Sequence, residues 1–336
     1  MTRRLTRRNA LAGLGAAAAA MTGLRPARGQ VLDRVSFQTN WRAQAEHGGY
    51  YQAVAAGIYR RHGIDCDLRM GGPQINNAQL LLAGRVDAIM SNGFQALSYA
   101  RENLPAICIG SIFQKDPQVL IAHPGVGHDS FEQMRGKPIL IGAGGRVSYW
   151  PFLRARFGFT DEQIRPYTFN LQPFLADRNA IQQGFLTSEP YAIRRTGINP
   201  VVLLIADAGY DNYQTTIDVR RQFVDEKPDL VQRFVNATIE GWAGYLYGDP
   251  AAANALIKRD NPDMDDDKIA YAIQAMKDFG IVRSGDADRL GIGAMTDERW
   301  QRFYQQTAQW NLNPPNLDLS KAYTLRFVNQ RIGMAG

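Results

Sequence analysis

The chain has 336 residues, of which 45% are hydrophobic and 10% aromatic, so it has the length for two domains and the composition of a globular protein. Its formal net charge of +6 comes from one segment, because residues 1–29 hold six of the 38 basic residues and no acidic one. The other 32 basic residues are balanced by 32 acidic ones, which removes the basic surface expected of a nucleic-acid-binding protein.

Residues 1–29 are predicted to be a signal peptide. A basic start is followed by an apolar stretch at 10–22 and small residues at 27–29, and the stretch is too short to span a bilayer comfortably. The pair Arg7-Arg8 and its neighbours resemble a twin-arginine export signal, with an ordinary Sec signal as the alternative. Either signal predicts export. Because the segment has no cysteine for a lipid anchor, we expect a soluble periplasmic protein.

The first candidate binding segment follows an apolar strand predicted at 35–38. The strand runs into a polar elbow that carries Trp41, Glu46 and His47, and a helix is predicted over 46–59. Open α/β sheets bind ligands in the crevice beyond their strand ends, where helix N-termini leave backbone N–H groups unpaired. The elbow therefore predicts a binding crevice. The alternative is that the indole and the imidazole only cap the sheet.

The chain then continues to alternate between strands and helices. Strands are predicted at 64–70, 86–90, 106–113 and 119–123, with a short helix at 76–82. A strand-helix-strand-helix-strand order predicts a parallel sheet with right-handed crossovers.

A second elbow follows the strand predicted at 86–90, where a polar triplet leads into a helix. In a parallel sheet this elbow opens on the same edge as Trp41. The candidate ligand residues here are Ser91, Asn92 and Gly93, together with Gln114 after the next strand.

A second unit begins with a strand predicted at 137–142 and a glycine-rich turn at 142–148. Such a turn lets backbone N–H groups approach a polar ligand group closely. The turn lacks the GxGxxG and Walker patterns, and no cysteine or histidine spacing indicates a metal, so we predict no cofactor and no metal site. The candidate residues are Gly144, Arg146 and Ser148 in the turn, and Tyr149 and Trp150 at the start of the next helix.

A further candidate acid follows strands predicted at 165–170 and 180–186. Glu189 stands directly before a proline that would begin a helix, so its carboxylate can reach a cleft. The alternative is a charge that only interacts favourably with the helix dipole. After a strand at 201–206, Tyr210 lies in an aromatic-rich return segment. The elements predicted after it are a strand at 215–219 and helices at 228–247, 250–258, 265–279 and 296–309.

The chain has two cysteines, Cys66 and Cys108, each within an apolar strand-like run. A disulfide is chemically possible in the periplasm. Buried free thiols are the favoured interpretation, because both cysteines lie within strands.

Several short motifs together resemble one large superfamily of periplasmic solute-binding proteins of ABC importers, which includes sulfonate, taurine and nitrate receptors. The chain most resembles the receptors for pyrimidine precursors of thiamin. The matching segments are Trp41 with residues 46–48, the blocks at 56–59, 63–65, 82–87, 135–137 and 188–191, and residues 209–211.

The resemblance implies an α/β fold with two lobes, the type II or Venus-flytrap arrangement, joined by two chain crossovers near residues 123 and 210. Lobe 1 would comprise residues 30–123 and 211–336, and lobe 2 residues 124–210. It also implies a monomer that holds a small molecule between the lobes and delivers it to a membrane permease driven by a cytoplasmic ATPase.

The resemblance further implies a ligand site built from the elbows of both lobes. Aromatic faces would stack on a flat heteroaromatic ring, and Glu189 would accept hydrogen bonds from an exocyclic amine or a ring N–H. The candidate ligand residues are Trp41, Glu46, His47, Ser91, Asn92, Gly93, Gln114, Gly144, Arg146, Ser148, Tyr149, Trp150, Glu189, Tyr191 and Tyr210.

Two departures from the resembled proteins bear on function. A fungal enzyme of this fold uses a lysine and a histidine where this chain has Ser91 and Gln95, and without the amine no Schiff base can form. The pyrimidine-precursor receptors usually carry Asn where this chain has Ser188, which leaves riboflavin-like, aromatic sulfonate and carboxylate solutes as alternatives. An exported enzyme using Glu46, His47 and Glu189 and a sensor-only binding protein also stay open.

Overall fold

The computed structural model describes residues 31–336, except 73–74, 169 and 335–336. The predicted signal peptide lies outside these residues. The strands are β1 (Asp33–Gln38), β2 (Ile64–Arg69), β3 (Ala88–Asn92), β4 (Ala106–Phe113), β5 (Gln118–Ala122), β6 (Ile139–Ile141), β7 (Ile164–Pro166), β8 (Ile181–Phe185), β9 (Val201–Leu204) and β10 (Gln214–Arg220).

Helices cover both sheets. They are α1 (Gly48–Ala55), α2 (Ile58–Arg61), α3 (Asn77–Leu82), α4 (Gly93–Arg101), α5 (Ala143–Val147), α6 (Trp150–Phe157), α7 (Gln172–Ala176), α8 (Glu189–Arg194), α9 (Arg221–Glu226), α10 (Pro228–Tyr247), α11 (Ala251–Asp260), α12 (Asp266–Asp278), α13 (Asp286–Leu290) and α14 (Asp297–Gln309). Short 3-10 helices occur at Ala45–His47, Glu132–Met134, Asp161–Gln163, Ile205–Ala208 and Leu319–Lys321. Within the described part of the chain, no helix is both long and apolar enough to cross a membrane.

The first sheet has the strand order β2-β1-β3-β10-β4. Its first three strands are parallel, as the strand-helix alternation predicts. The whole sheet is mixed, because β10 enters between β3 and β4 and runs antiparallel to both. This strand arrives from the second sheet, so the start of β10 lies beside the carboxyl ends of β1 and β3.

The second sheet has the order β7-β6-β8-β5-β9, with β5 antiparallel to both β8 and β9. The chain enters this sheet after Phe113, so the passage lies at 114–117 rather than near residue 123 as predicted. The apolar pattern of the strand predicted at 119–123 fits a place in either sheet. Only its pairing with β8 and β9 assigns it to the second sheet. The chain returns after Leu204, close to the predicted residue 210. Two layered α/β units joined by two passages confirm the predicted fold class.

Two predicted local structures differ from the observed ones. The helix predicted over 46–59 is divided into α1 and α2, because Gly57 has φ +65° and ends the first helical run. The glycine-rich segment at 142–148 is not an open turn: it forms the short helix α5 after an extended Gly142.

Helix α1 packs closely on α10, and glycines make the approach possible. A Cβ at Gly48 would lie 2.0 Å from the Tyr245 ring, and one at Gly49 would lie 2.1 Å from the Trp242 ring. A Cβ at Gly241 would meet the carbonyl oxygen of Gly49 at 2.3 Å. This contact holds the start of α1 at the edge of the first sheet, and with it Glu46 and His47, which directly precede the helix.

The two cysteines are free thiols. Cys66 lies in β2 and Cys108 in β4, which are the opposite edges of the first sheet. Four strand spacings separate them, or about 19 Å, far beyond the reach of a disulfide. Desolvation raises the pKa of both thiols. The prediction of free thiols is confirmed, and the prediction of burial holds for Cys108, whereas Cys66 is only partly buried.

Ser91 belongs to a buried cluster within the first sheet rather than to a cavity. Its hydroxyl lies beside Asp218, which also accepts hydrogen bonds from the hydroxyls of Tyr99 at 3.0 Å and Thr216 at 2.8 Å. Asp218 is fully buried, and this burial raises its pKa to about 6.

We expect the stability of the protein to depend on pH through Asp218. The unfolded chain releases this proton near its ordinary pKa of 3.8, whereas the folded protein retains it to about pH 6. The contribution of Asp218 to the stability of the folded protein is therefore complete below pH 3.8. About 2–3 kcal/mol of this stability is lost as the pH rises to about 6. Urea unfolding of the wild type and of Asp218→Asn at about pH 4 and about pH 7 measures it. The variant should lose this part of the pH dependence, and an unchanged dependence would contradict the assignment.

Candidate functional site

Two connected cavities lie where the strand ends of the two sheets meet. The inner chamber has a volume of about 220 Å³ and the outer cleft one of about 1160 Å³. Strands β5 and β10 are antiparallel to their neighbours, so their first residues stand beside the last residues of β1, β3 and β8 at this edge. Both cavities are lined by Asn40, Trp41, Gln118, Gln183 and Gln214.

The elbow after β1 forms one wall of the inner chamber, as predicted. Trp41 is partly buried and lines both cavities, while Glu46 and His47 are buried and line the chamber. The Thr187 hydroxyl donates a hydrogen bond to Glu46. This bond joins the unit built on the first sheet to the unit built on the second sheet. Burial raises the pKa of Glu46, and the neighbouring carboxyl of Glu189 adds to this effect.

His47 is a neutral imidazole. Burial lowers its pKa to about 3, and its Nε2 lies 3.2 Å from Oδ1 of Asn40. An amide oxygen can only accept, so Nε2 carries the proton and Nδ1 keeps its lone pair. Nδ1 is buried and has no hydrogen-bond partner among the described residues.

Glu189 forms the opposite wall of the chamber and begins α8, as its position before Pro190 predicts. Its Oε2 accepts the backbone N–H of Phe185 at 2.7 Å, and its Oε1 accepts the Tyr167 hydroxyl at 3.3 Å. Burial raises its pKa, and these two donors partly offset the increase. The carboxyl is thus held in one orientation within the chamber wall.

Gln183, which the sequence pattern did not single out, connects the glycine-rich segment to both cavities. Its Oε1 accepts the backbone N–H of Gly142 at 2.6 Å and the Tyr149 hydroxyl at 3.0 Å. With the oxygen occupied, the NH₂ group remains to donate. Gln183 lies within β8, where an inward polar residue cannot be distinguished from a core position by alternation alone.

Asp116 lies in the first passage of the chain and lines the outer cleft. It is buried, and its Oδ2 accepts the side chains of Asn212 at 2.9 Å and Gln214 at 3.4 Å. Its Oδ1 accepts the backbone N–H of Gln118 at 3.1 Å. Burial raises its pKa to about 6. This residue ties the two passages together beside the cleft, a role that only their proximity in space reveals.

Some further predicted residues line the outer cleft. Gly144 and Ser148 do so from the segment of α5, although the Ser148 hydroxyl already donates to the carbonyl of Gly144 at 2.8 Å. Asn92 lines the cleft and caps α4 by accepting the backbone N–H of Gln95 at 3.1 Å.

Other predicted residues pack outside both cavities. Trp150 donates to Asp161 at 3.0 Å, and Gln114 donates to the carbonyl of Ala294 at 2.9 Å. Ser91, Gly93, Gln114, Arg146, Tyr149, Trp150, Tyr191 and Tyr210 do not line either cavity.

The aromatic residues among these serve packing. Tyr210 is buried and stacks against Phe94 and Trp310 with ring centroids 6.3 and 6.4 Å apart. Tyr191 lies against Tyr271 of α12 at 5.3 Å. The resemblance implied that these rings lie at the cleft, but their side chains instead pack against other aromatic residues.

Comparison with solved structures identifies the class of fold. The periplasmic aliphatic sulphonate binding protein SsuA from Escherichia coli superposes with a TM-score of 0.66 at 11% sequence identity, covering 86% of this chain and 91% of that one. The two sheets with their joining passages are therefore the periplasmic-binding-protein fold.

The sequence profile described as NMT1/THI5 like matches residues 44–253, and the chain belongs to that family. The riboflavin-binding protein RibY of Chloroflexus aurantiacus is 22% identical over 305 residues, which are 88% of this chain and 86% of that protein. A 4-amino-5-hydroxymethyl-2-methylpyrimidine phosphate synthase of Schizosaccharomyces pombe is 26% identical over 227 residues, 61% of this chain and 63% of that protein.

Proposed function

We propose that the protein is the periplasmic solute-binding component of an ABC importer and that its solute is a small, uncharged heteroaromatic compound. The first candidate is a pyrimidine precursor of thiamin, and the second is a riboflavin-like compound. The observation that carries the proposal is the inner chamber, whose walls come from both sheets and combine an indole with carboxyl and amide groups.

The electrostatics of the chamber favour an uncharged solute that donates hydrogen bonds. Of the described residues that line it, none is a lysine or an arginine, and His47 stays neutral. Glu46 and Glu189 offer acceptor oxygens on opposite sides. An aromatic sulfonate or carboxylate would meet no positive charge there and would leave its own desolvation uncompensated, which disfavours those two alternatives.

The volumes distinguish the two candidate solutes by size. Ligand pockets for drug-sized molecules occupy ~300–1000 Å³, and the inner chamber of about 220 Å³ suits a single ring. A flavin would place part of its structure in the outer cleft, where nine carboxamide side chains can bind hydroxyl groups. Both candidates use the same chamber wall.

The proposed mechanism is closure of the two units around the solute. Polar contacts between the units include the bond from Thr187 to Glu46 and one from Arg194 to the Tyr271 hydroxyl at 2.9 Å. Such contacts can break and reform, so solute binding can shift the population towards the closed form that a permease recognises. Binding without chemical change is proposed because the neutral His47 is a weak base.

A thermal-shift screen tests this proposal. The mature chain from Gln30 is mixed with hydroxymethylpyrimidine, formylaminopyrimidine, riboflavin, benzoate, benzenesulfonate and nitrate. A solute at ~100 times its dissociation constant should stabilise the protein by ~2.7 kcal/mol, an easily measured rise in melting temperature. We expect a rise with a pyrimidine or with riboflavin. A rise only with the anions would overturn the proposed solute class, and no rise at all would overturn the receptor proposal.

The same screen includes Trp41→Ala. Loss of ring stacking and of buried area should remove most of the rise seen with the wild type, while the melting temperature without solute stays close to the wild-type value because Trp41 is only partly buried. Chromatography of the recovered solute should return it unchanged, as expected for a receptor.

A further inference from the structure

Thr215 has a backbone conformation that its residue type disfavours. Its φ is +54°, and the other described non-glycine residues with positive φ are Asn103, Asn311, Asn329 and Arg331. Asparagine tolerates this region through local hydrogen bonds of its short side chain, whereas a β-branched residue is a genuine outlier there. Such strained residues persist where the surrounding structure holds them, and they cluster at binding sites.

The strain comes from a bulge at the start of β10. Gln214 pairs with Asn92 of β3, and the next paired residue is Thr216, so Thr215 is passed over. In the pairing with β4 the register does not shift at this position, so the bulge is confined to the pairing with β3. In a regular strand only alternate residues share a face, but the bulge allows Gln214 and Thr215, neighbours in sequence, both to line the inner chamber.

The hydroxyl that this bulge places in the chamber wall has no partner. Thr215 is fully buried, and its Oγ1 makes no hydrogen bond to any described residue. His47 lines the same chamber, and its Nδ1 is also buried without a hydrogen-bond partner among the described residues. Buried polar groups are nearly always satisfied, so two unsatisfied atoms in one chamber indicate a missing partner with complementary groups.

We propose that Thr215 and His47 form a polar contact surface that recognises an N–H or NH₂ edge of the solute. This inference rests on the proposed function and narrows it to heteroaromatic compounds with such a donor edge. His47 can only accept at Nδ1, and the Thr215 hydroxyl can accept from the solute or donate to a ring nitrogen. An amine beside a ring nitrogen matches both groups, as does a ring N–H beside a carbonyl.

Three variants of Thr215 separate recognition from backbone effects. Thr215→Val keeps the shape and removes the hydroxyl, Thr215→Ser keeps the hydroxyl, and Thr215→Gly relieves the backbone while removing the side chain. Calorimetry measures the dissociation constant of each with 4-amino-5-hydroxymethyl-2-methylpyrimidine and with riboflavin as probes. We expect Thr215→Val and Thr215→Gly to bind the preferred probe about tenfold more weakly than the wild type, and Thr215→Ser to bind within about threefold.

Melting temperatures of the same variants without solute provide the second measurement. Thr215→Gly should melt above Thr215→Val, because glycine adopts this φ without strain. A Thr215→Val protein that binds as tightly as the wild type would overturn this inference alone. A wild type that binds neither probe would overturn the proposed solute class, and this inference with it.

Discussion

Replacing Glu189 by glutamine is expected to weaken solute binding by about 10- to 100-fold while leaving the protein folded. The carboxylate is an acceptor in the chamber wall, and a hydrogen bond to an ionised group is about twice as strong as one between neutral groups. Glutamine has the same shape but replaces one acceptor oxygen with a donor. The N–H of Phe185 can still be accepted by the remaining oxygen, and the NH₂ group can donate to the Tyr167 hydroxyl, so the local structure should survive.

The pH dependence of binding should change in the same variant. Burial raises the pKa of Glu189 above its ordinary value of 4.5. Binding to the wild type should therefore weaken as the pH falls through this raised value, because protonation removes an acceptor. The glutamine variant should lack this component. Calorimetric titration with whichever solute gives the largest thermal shift measures both effects.

The matched control is Glu132→Gln, an exposed acid in the short helix between β5 and β6. It should bind like the wild type. If Glu189→Gln retained the wild-type affinity and pH dependence, Glu189 would be a structural cap of α8 and not a solute contact.

Replacing Arg299 by methionine should destabilise the protein by about 3 kcal/mol. This guanidinium of α14 is largely buried and bonds to both passages between the sheets. It donates to the backbone carbonyls of Gln114 and Asn212, forms an ion pair with Asp211 at 3.0 Å, and lies 4.1 Å from the Tyr213 ring centroid. Removing it leaves two buried carbonyls without this donor.

The control for Arg299 lies one turn away on the same helix. Arg302 also pairs with Asp211, at 2.9 Å, but its side chain is about half exposed. Exposed pairs contribute little, so Arg302→Met should change the free energy of unfolding by less than about 1 kcal/mol. Urea denaturation of both variants makes the comparison. Equal small losses would mean that Arg299 does not hold the two passages together.

The local pattern of the chain was largely readable without the structure. Helix α10 has the predicted bounds, because its apolar residues repeat at helical spacing and its start is marked by a proline. Strand β4 also has its predicted bounds, since an unbroken apolar run indicates a buried strand. The elbow after β1 and the acid that begins α8 were predicted at the cavity, because polar residues directly after strands lie at a sheet edge.

Other parts of the site escaped sequence reasoning for identifiable reasons. Gln183 lies within a strand, Asp116 lies in a passage, and Thr215 lies in a bulge. None of these positions has a distinctive local pattern. Conversely, the resemblance implied that Tyr210 and Trp150 lie at the cavity, but their rings turn into packing contacts that depend on distant partners.

The sequence by itself determined most of the strands and helices, since these depend on interactions between near neighbours in the chain, although several of their ends differ from the predicted ones. Only the tertiary structure decided that β10 enters the first sheet antiparallel, that β5 belongs to the second, and which side chains face the cavity. Those outcomes depend on pairing and packing between segments far apart in the chain, such as Gln114 and Ala294, which are 180 residues apart and joined by a hydrogen bond. No periodicity within one segment records such contacts, because their free energy arises only when both segments are in place.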